Sequence, residues 1–175
     1  MNLKYIIPAA LVLVAAALAV AVKRNNNPNI KPENQEVVMQ NSENTQKIIA
    51  FVKDAGAFFI ATIDGDRPRV RPFGAMTEIN GAPVICTGAW KNVAAQLRAN
   101  PNVEISATKN GRWLRVSGRL RDISSAETRA RMFAESPDLA GLYKGKEDQL
   151  LIFRFENATA TFEDFAGNRE VLEIK

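Results

Sequence analysis

Arginines at alternating positions are the clearest chemical feature of this sequence. Arg67, Arg69 and Arg71 recur at every second residue, so in a regular strand they share one face and Val70 lies on the other. Pro72–Gly74 follows directly, and a proline and a glycine inside a strand indicate an edge, a bulge or the close approach of a ligand. Solvation of the whole face is the alternative. We expect Arg69 and Arg71 to lie beside a ligand.

A second basic run has the same alternation. Arg115, Ser117, Arg119 and Arg121 share a face, and Trp113 stands at its start. Antiparallel strands often have one face in contact with solvent, and solvent exposure alone explains the presence of Arg119 and Arg121.

The third feature is the run Thr87-Gly88-Ala89-Trp90-Lys91, at a predicted junction between a strand and a helix. A helix N-terminus offers free N–H groups and partial positive charge, so a lysine there is locally unfavourable. A bound phosphate would reverse this by contacting the lysine and the amides together, and the Thr87 hydroxyl could add a hydrogen bond. Alternatively, Lys91 simply extends into water.

Composition excludes several kinds of chemistry. The 175 residues include no histidine and a single cysteine, Cys86, which excludes a Ser-His-Asp triad, histidine-ligated metals and an internal disulfide. Cys86 lies in an apolar run and is predicted to be a buried, unreactive thiol. The net charge of +4 predicts no nucleic-acid partner. Chemistry would have to come from Lys, Arg, Tyr, carboxylates or a borrowed cofactor.

The elements that position these residues are short. Turn signals such as Asn80-Gly81 and Asn110-Gly111 separate apolar runs and predict hairpins. The patterns predict strands over 57–63, 69–79, 82–88, 102–109, 112–123, 150–155 and 158–165, a further strand in the C-terminal tail, and helices over 44–55, 90–99, 124–135 and shortly after 137. Short antiparallel strands with small helices favour a mainly β protein, a barrel or a sandwich.

The N-terminus differs from the rest. The eighteen residues 5–22 carry no charge. As a helix they would be roughly 27 Å long, which is close to the thickness of the hydrocarbon core of a bilayer. We interpret this hydrophobic helix as a membrane anchor, with a cleaved signal and a secreted or periplasmic protein as the alternative. The small excess of Lys and Arg after the segment favours the cytoplasmic side for the following domain.

Residues 25–45 contain seven Asn and two Pro and are interpreted as a flexible tether. The predicted organisation is therefore an anchor or signal segment over 1–24, the tether over 25–45 and a folded domain over 46–175.

Taken together, three motifs resemble the pyridoxamine 5′-phosphate oxidase-like family, the FMN-binding split barrel. They are ATIDGDRPRVRPF, the pattern CT…K…LRANPNVEI, and WLRVSG, and the resemblance covers about residues 46–167. It implies an antiparallel split β-barrel and a homodimer with FMN in clefts between the two barrels.

The resemblance also implies a cofactor site. The FMN phosphate would be held by Arg69, Arg71, Thr87 and Lys91. The backbone around Val70, Pro72 and Phe73 would lie along the isoalloxazine ring. Trp113 and Arg115 would lie close to the dimer cleft and reach toward the partner's flavin.

These features predict an FMN-dependent oxidoreductase acting on a small molecule. The alternatives are a non-catalytic flavin-binding module that relays electrons or senses redox state, a deazaflavin-dependent reductase, and a cofactor-free barrel that binds an anion. Relatives often carry Asn where this chain has Gly88, and the C-terminal Arg and Trp pattern of true pyridoxamine phosphate oxidases is not seen near residues 171–175. Oxidation of vitamin B6 is therefore not expected.

Overall fold

A computed structural model describes residues 32–175 of the chain, with side chains from residue 36 onward. Residues Glu36–Lys175 form one compact unit. The predicted hydrophobic helix over 5–22 and the beginning of the tether lie outside the described residues. Within the described part, no helix combines the length and apolar character needed to cross a membrane.

Antiparallel strands dominate the described chain, as the sequence predicted. The helices are α1 (Pro32–Ala55), α2 (Asn92–Ala99), α3 (Ala126–Glu135) and α4 (Asp138–Leu142). The strands are β1 (Phe58–Asp64), β2 (Arg67–Phe73), β3 (Met76–Ile79), β4 (Ala82–Gly88), β5 (Asn102–Lys109), β6 (Arg112–Asp122), β7 (Leu150–Asp164) and β8 (Arg169–Ile174), with a short 3₁₀ turn at Glu147–Gln149.

The eight strands form one sheet in the order β2-β1-β5-β6-β7-β4-β3, and β8 pairs with β7 beside this path. All these pairings are antiparallel. The first half of β7 pairs with β4 and its second half with β8. This arrangement is consistent with a split barrel, whose two edge strands, β2 and β3, are joined by the two-residue link 74–75.

The centre of the long β6–β7 pair is irregular. The register shifts between Ser117 and Arg119, and Asn157 on β7 has a φ of 48°. A Cβ atom added at Gly118 would lie 2.6 Å from the Cβ of Ala158, so the two backbones approach more closely than a side chain permits. Such a bulge bends a strand. The sequence pattern predicted two strands here, 150–155 and 158–165, separated at residues 156–157. In the structure they form one strand, β7, which continues through the bend.

Edges and turns follow the sequence signals. Asn80-Gly81 and Asn110-Gly111 both adopt positive φ angles, as the tight hairpin turns between β3 and β4 and between β5 and β6 require. The predicted strand 69–79 is interrupted at Gly74 and forms two separate strands, β2 and β3. Pro72 lies on edge strand β2, where its missing N–H breaks no ladder.

Helix α1 begins earlier than predicted. It includes residues 32–45, which the sequence indicated as tether, and Asn44 and Thr45 are buried within it rather than capping its start. Thr45 donates a hydrogen bond to the Gly81 carbonyl at 2.8 Å, and Asn44 donates one to the Glu173 carbonyl at 2.8 Å. These tertiary bonds attach the middle of the helix to β8 and to the β3–β4 turn and so help to stabilise its polar half. The helix ends as predicted at Gly56, whose φ is 78°.

Two clusters of buried side chains hold the described domain together. The larger one lies between the sheet and helices α1 and α2, and includes Ile48, Val52 and Leu97 on the predicted inward faces. The smaller one includes Cys86, Met132 and Tyr143 and joins β4 to the segment of α3 and α4. Both clusters contribute lining residues to a cavity beside the end of β4.

Candidate functional site

A cavity of about 570 Å³ lies where β2, the end of β4 and the α3–α4 segment meet. Five of the predicted site residues line it: Arg71, Pro72, Phe73, Thr87 and Lys91. A neighbouring cavity of about 430 Å³ is lined by Arg69, Arg71 and Lys91 among others. The structure therefore brings the first basic strand and the strand–helix junction together, an arrangement that the family resemblance implied. Val70, Trp113 and Arg115 line neither cavity.

Thr87 carries an unsatisfied polar group at this site. The residue is 2% exposed, and its Oγ1 atom is buried without a hydrogen-bond partner among the described residues. A buried hydroxyl without a partner costs free energy, on the order of 1–3 kcal/mol, so such groups are rare in native proteins. Because Thr87 lines the cavity, a polar group bound there could supply the missing hydrogen-bond partner.

Lys91 lies at the N-terminus of α2. It is the N-cap residue, with φ −83° and ψ 143°, its side chain makes no capping hydrogen bond, and the first turn of the helix contains no acidic residue. The side chain is exposed, and among the described residues no carboxylate lies within ion-pair distance of its ammonium group. The free N–H groups of a helix start and an unpaired ammonium group together favour an anion.

Arg71, on β2, is held by a polar network with side chains of β1 and α2. Its Nη1 atom donates to Thr62 Oγ1 at 2.6 Å and its Nη2 atom donates to Gln96 Oε1 at 2.7 Å. Thr62 in turn donates to Gln96 Oε1 at 2.7 Å. Burial and the neighbouring positive charge of Arg69 lower the pKa of the Arg71 guanidinium. Two adjacent guanidinium groups repel each other, and a bound anion would relieve that repulsion.

Arg69 lies on the same face of β2 as Arg71, whereas Val70 lies on the opposite face. Arg69 Nε donates to Asp64 Oδ2 at 2.9 Å, in an ion pair that is about half exposed. Val70 is 66% exposed. Its cross-strand partner is Ala61, and the residues beside this pair on the same face, Phe59 and Ile63, are also exposed. The outer face of β1 and β2 is therefore apolar.

Trp113 and Arg115 lie on β6, away from the cavity in a single chain. Arg115 forms a two-pronged ion pair with Glu104, at 2.8 and 3.0 Å, and Ser117 donates to the same carboxylate. The bonds from Arg115 and Ser117 lower the pKa of Glu104 although partial burial opposes the shift, and the carboxylate raises the pKa of Arg115. Trp113 Nε1 donates to Glu163 at 3.0 Å. The strand registers place Arg115 on the same sheet face as Phe59.

Gly88 accommodates a neighbouring aromatic ring. A Cβ atom at this position would lie 2.8 Å from the indole of Trp90, so any larger residue would displace that ring. This packing gives a physical reason for a glycine at position 88. Trp90 also packs against Tyr143, with ring centroids 5.4 Å apart.

Two buried groups line the cavity from the smaller cluster. Cys86 is buried as predicted, and burial raises the pKa of its thiol to about 12. Tyr143, which precedes Lys144 and Lys146 in the sequence, lines the cavity directly after α4. Its side chain is buried and burial raises the pKa of its hydroxyl to about 12.

Sequence reasoning missed other parts of the site. Gln96 stands on the same helical face as Val93 and Leu97 and is buried with them, so a polar residue on an apolar face was the available signal. Thr62 is buried in a strand, and its pairing with Gln96 is visible only in three dimensions. The α3–α4 wall carried no sequence signal for a cavity, because its lining residues have mixed polarity.

The antiparallel sheet with its small helices places the described domain in the class of mainly β proteins consistent with a split barrel, with a cavity lined by Arg71, Thr87 and Lys91. Within that class, the family model for pyridoxamine 5′-phosphate oxidase matches residues 44–161. The chain belongs to this family. None of the curated proteins matches the chain.

Solved structures share the fold. A NimC/NimA family protein from Clostridium acetobutylicum is 28% identical, with a TM-score of 0.73 over 78% of this chain and 96% of that one. A protein from the same organism related to general stress protein 26, of the pyridoxinephosphate oxidase family, is 10% identical, with a TM-score of 0.58 over 76% and 96%. A heme binding protein from Mycobacterium smegmatis is 15% identical, with a TM-score of 0.57 over 76% and 57%.

Proposed function

We propose that this protein binds FMN and acts as a flavin-dependent oxidoreductase on a small molecule. The observation that carries the proposal is the orphaned, buried Thr87 hydroxyl beside Lys91 and Arg71 in one cavity. A phosphate group supplies an acceptor oxygen for the Thr87 hydroxyl and negative charge for Lys91 and Arg71. Among the described residues, Thr87 Oγ1 has no hydrogen-bond partner and neither Lys91 nor Arg71 has a carboxylate partner. Family membership supports the same cofactor.

Each residue has a distinct part in holding the phosphate. Lys91 and the first N–H groups of α2 offer charge and donors at the helix start. Arg71 keeps its Nε–H and one Nη2–H without partners among the described residues, so two donors remain for an anion although the side chain is already fixed in place. Thr87 offers its hydroxyl.

The ring would lie along the backbone of Pro72 and Phe73, which line the same cavity. FMN, when bound, supplies hydride or single-electron transfer. The chain itself contributes binding, orientation and exclusion of water. A deazaflavin is the alternative cofactor, and its absorption spectrum distinguishes it from FMN.

We further propose that the functional unit is a homodimer. The exposed apolar face of β1 and β2, with Phe59, Ile63 and Val70, is a surface that a second copy could cover. Trp113 and Arg115 share this side of the sheet, and in a dimer they would approach the flavin of the partner subunit. This arrangement would give a role to two predicted site residues that the single chain leaves outside the cavity.

A second candidate is a non-catalytic flavin-binding module that relays electrons. The pKa values of both Cys86 and Tyr143 are raised to about 12, so both groups stay protonated at neutral pH and neither acts as a base. Steady oxidation of NADH or NADPH with an added electron acceptor would favour the enzyme. Reduction of the flavin without turnover would favour the module.

For the N-terminus, we propose attachment to a membrane through residues 5–22, with the domain on the cytoplasmic side. Alkaline carbonate extraction of membranes tests this proposal. Release of the protein into the soluble fraction would contradict an anchor and favour the cleaved, secreted or periplasmic form.

The cofactor is tested with the full-length protein. After FMN is added and the excess removed, a retained flavin spectrum is the expected result. In the Lys91→Ala variant, loss of one charge-assisted contact should weaken FMN binding about 10-fold or more. Lys144→Ala removes the same charge from an exposed loop residue outside the cavity and serves as the control. Equal FMN affinity in Lys91→Ala and wild type would refute the phosphate assignment.

A further inference from the structure

We infer that four side chains on the paired strands β6 and β7 form a binding site for a small dianionic oxyanion, of which a phosphate group is the typical example. They are Arg119, Arg121, Arg154 and Glu156, and we call them the arginine block. None of them lines either of the two cavities described above. The inference therefore goes beyond the proposed function and does not depend on it.

The strand register places the four side chains of the block next to one another on one face of the sheet. Arg121 is directly opposite Arg154, and two positions further along both strands Arg119 is directly opposite Glu156. Residues that are opposite each other, or two positions apart on one strand, project from the same face. Solvent exposure alone was the expectation for Arg119 and Arg121, and the pairing with Arg154 adds a charge that the sequence of β6 does not show.

The single carboxylate of the block does not neutralise it. Glu156 accepts a hydrogen bond from Arg121 Nε and forms an ion pair with that residue. No other carboxylate of the described domain lies within ion-pair distance of the block, so Arg119 and Arg154 have no ion-pair partner there. Like charges directly opposite each other on neighbouring strands destabilise a sheet. Arg121 and Arg154 are such a pair, and a bound anion would relieve their repulsion.

Arg154 also carries a buried donor without a partner. The residue is partly buried, and its Nε atom has no hydrogen-bond partner in the part of the chain that the structure describes. An unsatisfied donor costs more free energy in a charged group than in a neutral one. Arginine keeps its charge at neutral pH, so only an acceptor atom can satisfy this donor.

Charge and access both favour a small dianion. Three arginines and one glutamate give the block a net charge of +2, which a dianion would balance. Arg119, Arg121 and Glu156 also line a cavity of about 330 Å³, so a small ligand can reach the block, and Arg154 joins them from the neighbouring strand beside Arg121. The planar fork of a guanidinium matches the oxygens of a phosphate group, and arginine is the usual residue for this recognition.

Three probe ligands test the inference by isothermal titration calorimetry of the full-length protein. The titrations are made at pH 8, where phosphate is mostly dianionic, and at low ionic strength, because salt screens exposed charges. Inorganic phosphate and glycerol 3-phosphate are titrated separately, which distinguishes a free ion from a phosphate ester. Methanesulfonate has a similar tetrahedral head with a single charge and is the control ligand. All titrations are repeated in the Lys91→Ala variant, so that binding at the proposed cofactor site is recognised separately.

Two variants remove one charge each from the block. Arg154→Met keeps most of the length of the side chain, and Arg119→Gln keeps a polar group. The matched control is Arg67→Gln, which removes an exposed arginine from edge strand β2, outside the block and its cavity. Thermal unfolding confirms that each variant folds.

Wild type should bind one of the phosphate ligands more tightly than methanesulfonate. Arg154→Met and Arg119→Gln should each weaken that binding about 10-fold or more, from the loss of one charge-assisted contact. Arg67→Gln and Lys91→Ala should keep it.

Phosphate ligands that bind wild type no more tightly than methanesulfonate would overturn the inference, as would equal binding to wild type and Arg154→Met. Failure of both phosphate ligands to bind, with loss of a dimer in Arg154→Met by sedimentation velocity, would show instead that a second copy of the chain covers the block. Arg154-dependent phosphate binding in a protein that retains no flavin would support this inference while refuting the FMN proposal.

Discussion

Replacement of Thr87 by valine should separate the stability of the cofactor-free protein from its affinity for FMN. The substitution keeps the β-branched shape and removes a hydroxyl that is buried and unpartnered among the described residues. Without FMN, the variant should be more stable by about 1 kcal/mol, at the lower end of the cost of an unsatisfied buried polar group. For a chain of this length, that corresponds to a melting temperature about 2–4 °C higher.

FMN affinity should move in the opposite direction. A hydrogen bond to a charged phosphate contributes about 1.5–3 kcal/mol, which corresponds to roughly 10- to 150-fold in the dissociation constant. The assays are thermal unfolding without FMN and titration of the cofactor-free protein with FMN, followed by quenching of flavin fluorescence.

Thr45→Val is the matched control. Thr45 is also fully buried, but its hydroxyl donates to the Gly81 carbonyl at 2.8 Å, away from the cavity. This variant should lose about 1 kcal/mol of stability, because the Gly81 carbonyl loses a partner, and it should bind FMN normally. Destabilisation of Thr87→Val to the same extent as Thr45→Val would show that the Thr87 hydroxyl is satisfied, and the reasoning about an orphaned group would be refuted.

Two further predictions concern the sheet face that carries Val70. Val70→Glu places a charge on the exposed apolar face and should shift the protein from dimer to monomer in sedimentation velocity. The control Ala130→Glu, at an exposed position of helix α3, should leave the dimer intact. A dimer that persists in Val70→Glu would place the interface elsewhere. Glu104 has a lowered pKa in the folded protein, so its pairing with Arg115 stabilises the fold above the unfolded value near 4.3 and this contribution is lost as the pH falls through the folded pKa. Melting temperatures of wild type and Glu104→Gln should therefore differ at pH 6–7 and converge at strongly acidic pH, and a difference that does not depend on pH would contradict the assignment.

The strands could largely be predicted from local signals. The turns at Asn80-Gly81 and Asn110-Gly111 fix the hairpins that they join, because few other residues adopt the required backbone angles. The errors occur where tertiary contacts decide. The polar first half of α1 is helical in part because Asn44 and Thr45 bond to β8 and to the β3–β4 turn, and such distant partners leave no trace in local composition.

The candidate site was predictable to a similar degree. Residue type and spacing placed Thr87 and Lys91 at a strand–helix junction, and both line the cavity. Tyr143 was missed because Lys144 and Lys146 follow it, and a charged neighbourhood usually indicates an exposed loop. Its burial depends on packing against Met132 and against strand residues that include Ile79 and Val84, and local composition does not reveal these contacts.

Strand alternation correctly put Arg69 and Arg71 on one face but could not distinguish their environments. Arg69 pairs with Asp64 at the exposed end of the hairpin, so its charge is partly neutralised and screened by water. Arg71 has no carboxylate partner among the described residues. Its partners are the neutral oxygens of Gln96 and Thr62 and backbone carbonyls, which orient the guanidinium without cancelling its charge. An anion in the cavity therefore encounters a full positive charge in a fixed position at Arg71, which makes Arg71 rather than Arg69 the principal arginine of the proposed phosphate site.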